Sequence, residues 1–303
     1  MDFARRKFLG VSAATAALAA TGTVAQPAMA ASTSLTLKGI GYGDKSAADV
    51  AKINSLNPDW WYNWGQKRVT ATKDSIKAEF VPMLYSDNPD RTAAFYADIA
   101  ALKAESPRTV TAILGPNEPD WQGKNPDDTL KPAQMTPLEV LNIWKFIQDA
   151  GYALRKGSPA NVSTRTVWMD QFMGAQKALD QTKESWERDF EVNFVATHIY
   201  QQPHAPTWLA KVDELYAKFN KPVWVTETCV HDFSANATTP NRYSREEVNQ
   251  FIKDIWEGAK SRPWLERIAW HTRDITDPVG TTGALFNTNG TLTSTGVVWR
   301  DLA

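Results

Sequence analysis

One cysteine, Cys229, stands in a chain of 303 residues, so no internal disulfide can form. The four histidines, His198, His204, His231 and His271, include no H-E-x-x-H pair and no cysteine-rich spacing, which speaks against the common zinc sites. There is no G-x-S-x-G elbow and no P-loop, and "GIGYGDK" lacks the G-x-G-x-x-G spacing of a dinucleotide fold. No cofactor and no metal are therefore expected. An excess of positive charge is missing too: 33 Lys and Arg against 34 Asp and Glu give a formal net charge of −1, and no basic run appears after residue 7. Nucleic acid, whose binding is driven by clustered positive charge, is not an expected partner. Uniformly apolar runs of about 20 residues are also missing.

The strongest apolar character at the start of the chain is a soft, alanine-rich stretch in residues 1–30. Arg5 and Arg6 precede Phe8 and Leu9, and Ala28-Met29-Ala30 offers small residues for cleavage. Ser12, Thr15, Thr21, Gly22 and Thr23 interrupt the apolar region, which makes it a poor membrane anchor. It resembles a bacterial twin-arginine export signal. The expectation is removal of residues 1–30, a secreted or periplasmic product with no membrane attachment, and a catalytic domain over residues 31–303. A monomer is expected.

The 303 residues are 43% apolar and 22% charged with no linker-like tract, so the chain can bury a full core. Eight β-rich runs occur, at 37–43, 58–65, 78–85, 109–115, 164–170, 192–200, 222–228 and 266–273. Helical stretches with apolar residues recurring at three and four lie between them. Ser244 three before Glu247, and Thr136 three before Glu139, read as capping boxes, and Asp90 as the cap of its own helix. Near-continuous apolar strands alternating with helices describe a parallel sheet buried on both faces. Eight such units in about 270 residues predict a single (β/α)8 barrel of the α/β class.

In that fold the carboxyl ends of the strands face the active site, so the strand endings carry the functional information. The second run ends in Tyr62, Asn63 and Trp64, the fourth in Asn117 and Glu118, the sixth in His198, Ile199 and Tyr200, the seventh in Glu227 and the eighth in Trp270 and His271. Glu118 and Glu227 are about three units apart and so face one another across the mouth. Two carboxylates among amides, imidazoles and indoles suit cleavage of a glycosidic bond. One carboxylic acid protonates the leaving oxygen, and a second carboxylate attacks the sugar or activates water. A catalytic pair of this kind should have its pKa values pushed apart, Glu118 up and Glu227 down. Pro119 is expected to hold Glu118 in extended backbone. Trp64, Trp121 and Trp270 are candidate platforms for sugar faces, whereas Trp144, Trp186 and Trp256 fit helix packing. The polar connection from Pro119 to Met135 is long enough to be functional.

"GPNEPDW" and "VWVTET" resemble the acid/base and nucleophile segments of the retaining (β/α)8 glycoside hydrolases. Together with "WWYNWG", "QMTPLEVLNIWKF", "VATHIY" and "ALFNTNGTLTSTGVVWRDL", they resemble glycoside hydrolase family 128. That resemblance implies a polysaccharide substrate, β-1,3-glucan, with Glu118 as acid/base and Glu227 as nucleophile. It departs from the family pattern at Ile199, where Trp is frequent, and at Thr228-Cys229, where an aromatic is usual. Turnover of another β-linked polysaccharide, and a carbohydrate-binding barrel without turnover, remain open.

Overall fold

The computed structural model describes residues 36–69, 75–105, 110–121, 134–162, 164, 167–182 and 191–303. The leader at 1–30, Trp186 and most of the connection after Trp121 lie outside the described residues. Eight strands run in order: β1 Leu37–Gly41, β2 Trp60–Tyr62, β3 Glu79–Phe80, β4 Ala112–Ile113, β5 Arg155–Lys156, β6 Val195–Gln201, β7 Val223–Val230 and β8 Leu265–Trp270. The helices are α1 Ala47–Ser55, α2 Pro89–Ala104, α3 Pro137–Ala150, α4 Val167–Thr182, α5 Ala205–Phe219, α6 Arg245–Ala259 and α7 Ser294–Arg300. Every strand pair is parallel, in one six-stranded ladder ordered β3-β2-β1-β8-β7-β6 and a second of β4 and β5. Isolated bridges join the two: Met83 to Leu114 on one side, and Gly157 to Phe194 with Asn161 to Thr197 on the other. The order around the ring is that of a (β/α)8 barrel. Among the described residues no helix is long and apolar enough to cross a membrane.

Two layers of core follow from strand alternation. Outward side chains such as Trp61, Ile113, Val223, Val225 and Ile268 pack under the helices. Inward ones fill the barrel: Trp60, Tyr62, Val81, Met83, Leu114, Phe194 and Trp224 are matched by Ala112, Ala160, Ala196 and Ala269. Large rings fit only because alanines face them. At the amino end of the barrel Arg267 lies 4.0 Å from the Trp224 ring centroid and is paired with Glu79 at 2.8 Å. That end is closed by packing and charge, which leaves the opposite mouth for chemistry.

Two expectations are corrected here. The fifth strand is Arg155–Lys156, inside what the pattern reads as the tail of a helix, and residues 167–170 of the expected strand open α4. Two paired residues are too few to show alternation, whereas Trp168, Met169, Phe172 and Met173 recur at helical spacing, with the Trp168 and Phe172 rings stacked at 5.6 Å. The cap of α2 is Asn88, whose side chain accepts from the backbone N–H groups of Asp90 and Arg91. Pro89 takes the first helical position, where its missing N–H costs nothing, and this places the cap two residues before Asp90. Thr136 with Glu139 and Ser244 with Glu247 form the expected capping boxes, and Ser46 with Asp49 forms a third.

Candidate active site

Glu118 arrives on the extension of β4. Its backbone N–H donates to Ala160 O at 2.8 Å, and Asn117 bridges to Ala160, so the tip is tied to the end of β5. Gly115 permits that approach: a Cβ there would meet the backbone of Gly157, Ser158 and Pro159 at 2.9–3.1 Å. Glu118 itself has φ +45°, so the expected extended conformation does not hold. Pro119 disfavours the right-handed helical region, and the backbone instead takes the left-handed one. Such a conformation costs of order 1–3 kcal/mol in a non-glycine residue and persists only where the surroundings enforce it. The tie to Ala160 supplies that constraint.

Glu227 reaches the interior through a bulge. Trp224 faces inward and Val225 outward, so plain alternation would turn Glu227 away from the mouth. In the pairing with β6, Thr197 opposes Val225 and His198 opposes Glu227, and the β8 register slips over the same stretch. Thr226 is thus the extra residue, and it resets the parity.

Only 5% of Glu227 and 7% of Glu118 is exposed, so each carboxylate needs partners. Glu227 Oε2 accepts from the Tyr200 hydroxyl. Its Oε1 accepts from Trp64 Nε1 at 2.9 Å, and Tyr62 Oη, 3.1 Å away, directs its single proton toward Oε1 and Thr226 O. Burial pushes the Glu227 carboxyl upward, but the charges of His198 and His271 and the Tyr200 hydrogen bond outweigh it and hold the group below its ordinary value. Tyr62 and Tyr200 are held well above the usual phenol range, by burial first and by Glu227 next, and so remain donors.

His198 joins the two carboxylates. Its Nδ1 lies 3.0 Å from Glu118 Oε1, and its Nε2 3.5 Å from Glu227 Oε1. Burial disfavours the imidazolium, yet the charge of Glu227 and the bond to Glu118 raise its pKa overall. One oxygen from each carboxylate and a His198 nitrogen fall within 4.8 Å of one another. These three are the candidate metal ligands among the described residues, but the donor set fits proton sharing better. Three N–H or O–H groups, from Tyr62, Trp64 and Tyr200, aim at Glu227, and a cation there would face their hydrogens.

Several buried polar atoms at the mouth have no hydrogen-bond partner among the described residues: Asn117 Oδ1, His198 Nε2, His271 Nδ1 and both ring nitrogens of His231. Buried groups left open in this way, clustered in one place, mark where a polar ligand completes the network.

Of the residues expected at the site, Glu118, Asn117, His198, Tyr200, Glu227 and Trp64 come together. Trp64 does so by its indole N–H. Trp121 lies in the turn after Glu118, donating its backbone N–H to Glu118 O at 3.1 Å. Asn63 is apart from the carboxylates: its amide donates to Asp44 Oδ1 at 2.9 Å and Lys67 O at 3.1 Å and holds the local turn. Trp270 is fully buried, donates to Gly283 O at 2.8 Å and packs on Trp299, so it is no sugar platform. Its parity is outward, and His271, one residue on, is the inward member, edge-on to both Trp64 and Tyr200. Tyr85 and His231 are the residues that sequence reasoning leaves out; Tyr62 and His271 stand among the expected strand endings but receive no role from the sequence alone. Tyr85 is hydrogen-bonded to the Asn117 side chain, and its pKa is raised by burial and then by Glu118 and Glu227. The signal existed: Tyr85 ends the third apolar run as Asn117 and Glu118 follow the fourth, and Tyr62 shares the parity of Trp60.

Comparison with solved structures gives the same architecture. A mutant endo-β-1,3-glucanase of glycoside hydrolase family 128, subgroup I, from Amycolatopsis mediterranei, in complex with laminarihexaose, superposes with TM-score 0.66 at 24% identity, over 88% of this chain and 100% of that one. A subgroup II endo-β-1,3-glucanase from Pseudomonas viridiflava gives 0.66 at 24% identity, over 89% of this chain and 98% of that one. A subgroup VI exo-β-1,3-glucanase from Aureobasidium namibiae gives 0.63 at 14%, over 88% and 96%. At these identities the likeness is one of fold. No curated protein sequence matches significantly. The profile of the glycosyl hydrolase catalytic core, by contrast, matches residues 39–299, nearly all of the barrel, and the chain belongs to that family.

Proposed function

We propose that the protein hydrolyses β-1,3-glucan with retention of configuration, as an endo-acting glucanase, using Glu118 as acid/base and Glu227 as nucleophile. The observation that carries this reading is the approach of the two carboxylates to within 4.8 Å. Retaining enzymes hold theirs about 5–5.5 Å apart, whereas inverting ones need about 6.5–9.5 Å to admit a water. The choice of substrate is supported by the family 128 structures, four of which carry laminari-oligosaccharides.

In the first step Glu227 attacks the anomeric carbon while Glu118 passes a proton to the departing oxygen; in the second, Glu118 takes a proton from water, which releases the sugar from Glu227. Glu227 is suited to attack because it is held ionised by donors on both oxygens. The proton for departure resides in the hydrogen bond of 3.0 Å between Glu118 Oε1 and His198 Nδ1. Neutral Glu118 with neutral His198, and ionised Glu118 with imidazolium, are two forms of one charge state, and the leaving oxygen draws the proton from the first. Asn117, with Oδ1 open and its side chain held by Tyr85, is placed to bind a sugar hydroxyl.

Replacing Glu227 by Ala abolishes turnover in this scheme, and azide restores part of it with inverted product, measured by proton NMR of a laminarin digest. Retained product with azide would remove Glu227 from the nucleophile's role. For residues 1–30 the proposal is twin-arginine export with cleavage after Ala30, supported by Arg5, Arg6 and the small residues at 28–30. Exchanging both arginines for lysine should trap the protein in the cytoplasm; undiminished export would refute it.

A further inference from the structure

Beyond Glu227 a line of rings leads outward. Tyr200, whose hydroxyl meets Glu227 Oε2, is stacked on His231 with centroids 4.5 Å apart and planes at 10°. His231 in turn meets Phe233 edge-on at 5.3 Å and 89°. The last two differ sharply in exposure: His231 is 6% exposed and Phe233 70%. Single exposed apolar residues are ordinary on protein surfaces. Phe233 is distinguished by what lies beneath it, because neither ring nitrogen of His231 has a hydrogen-bond partner among the described residues.

The turn that displays Phe233 is firmly held. Asp232 is 1% exposed; its Oδ1 accepts from Ser234 Oγ at 2.6 Å and Ser234 N at 3.1 Å, and its Oδ2 from Arg242 N at 3.0 Å. Asp232 N donates to Val279 O at 3.0 Å, which ties the turn to the segment after β8. The phenyl ring is thus presented without the ordering cost that a mobile loop would pay on binding.

We propose that His231 and Phe233 form a sugar-binding subsite flanking the Tyr200–Glu227 pair, Phe233 giving an apolar platform for a pyranose face and His231 hydrogen bonds to its hydroxyls. Pyranose rings present axial C–H faces and equatorial hydroxyls, so an exposed ring beside an unfilled donor and acceptor matches both. Burial foremost, then the charges of Arg273 and His271, push the His231 imidazole down to about 3, so it stays neutral at working pH, with one nitrogen donating and the other accepting. This subsite rests on the glucanase reading and deepens it.

The test uses the Glu227→Gln protein, which binds without turnover, titrated calorimetrically with laminarihexaose. Adding Phe233→Ala should raise Kd about tenfold, equal to roughly 1.4 kcal/mol, while Phe233→Trp keeps the affinity. His231→Phe, which preserves the stack on Tyr200 but removes both nitrogens, should also weaken binding. In the active protein, Phe233→Ala should shift the cleavage positions on end-labelled oligosaccharides, an effect that loss of packing alone would not produce. Equal Kd values with and without Phe233→Ala would overturn the subsite. If laminarihexaose fails to bind but a β-1,4-linked or mixed-linkage oligosaccharide binds, the substrate reading fails, and the same comparison on that ligand decides the subsite. Binding of none of them would reject both.

Discussion

Tyr200→Phe removes one hydroxyl from the nucleophile and little else. The phenyl ring keeps its stack on His231 and its edge contact with His271, so the shape of the mouth is preserved. Glu227 Oε2 loses the Tyr200 donor, while Oε1 retains Trp64. A hydrogen bond to a charged group is worth about 1.5–3 kcal/mol, and one pKa unit corresponds to about 1.4 kcal/mol. The Glu227 carboxyl, now held below its ordinary value in part by that bond, should therefore rise. The acid limb of the kcat/KM profile on laminarin, which reports ionisation of Glu227, should move to higher pH with it. The alkaline limb, set by the proton shared between Glu118 and His198, should stay in place. Stability follows the same sign. A depressed carboxyl stabilises the fold above its unfolded value of about 4.3, and that contribution disappears as the pH falls through the folded value; the variant should lose part of it at neutral pH. A uniform drop in activity with an unmoved acid limb would refute the argument, because Tyr200 would then be shaping the pocket rather than holding the charge.

Two further substitutions test the framework. Gly115→Ala should lower stability by about 1–3 kcal/mol, read from denaturant midpoints, because the new methyl meets backbone atoms at 2.9–3.1 Å; activity should fall further than stability, since the strand tip carries Glu118. Trp270→Phe should destabilise the protein through the lost bond to Gly283 and a small void against Trp299. Its Kd for laminarihexaose in the Glu227→Gln protein should not change, whereas weakened binding would restore Trp270 to the sugar site.

Much of the site was legible because chemistry and strand order are local properties of a sequence. Apolar runs that end in Asn117-Glu118 and in Glu227 announce charged groups where a core strand has no use for them, and the count of βα units sets them across the mouth. The capping boxes at Thr136 and Ser244 were readable for the same reason, since donor and acceptor lie three residues apart. Parity was not local. Trp270 and His271 are adjacent, and only the register of β8 decides that His271 looks inward while Trp270 packs beneath the helices. Glu227 depends on Thr226 bulging out of β7, a slip set by pairing with β6 and β8 together. The left-handed backbone at Glu118 arises from its tie to Ala160, across 42 residues of chain. The sequence by itself determined which residues could carry the chemistry and the barrel that gathers them. Which of two neighbouring side chains faces the substrate was decided by tertiary structure, because a one-residue shift in strand register turns every side chain to the opposite face.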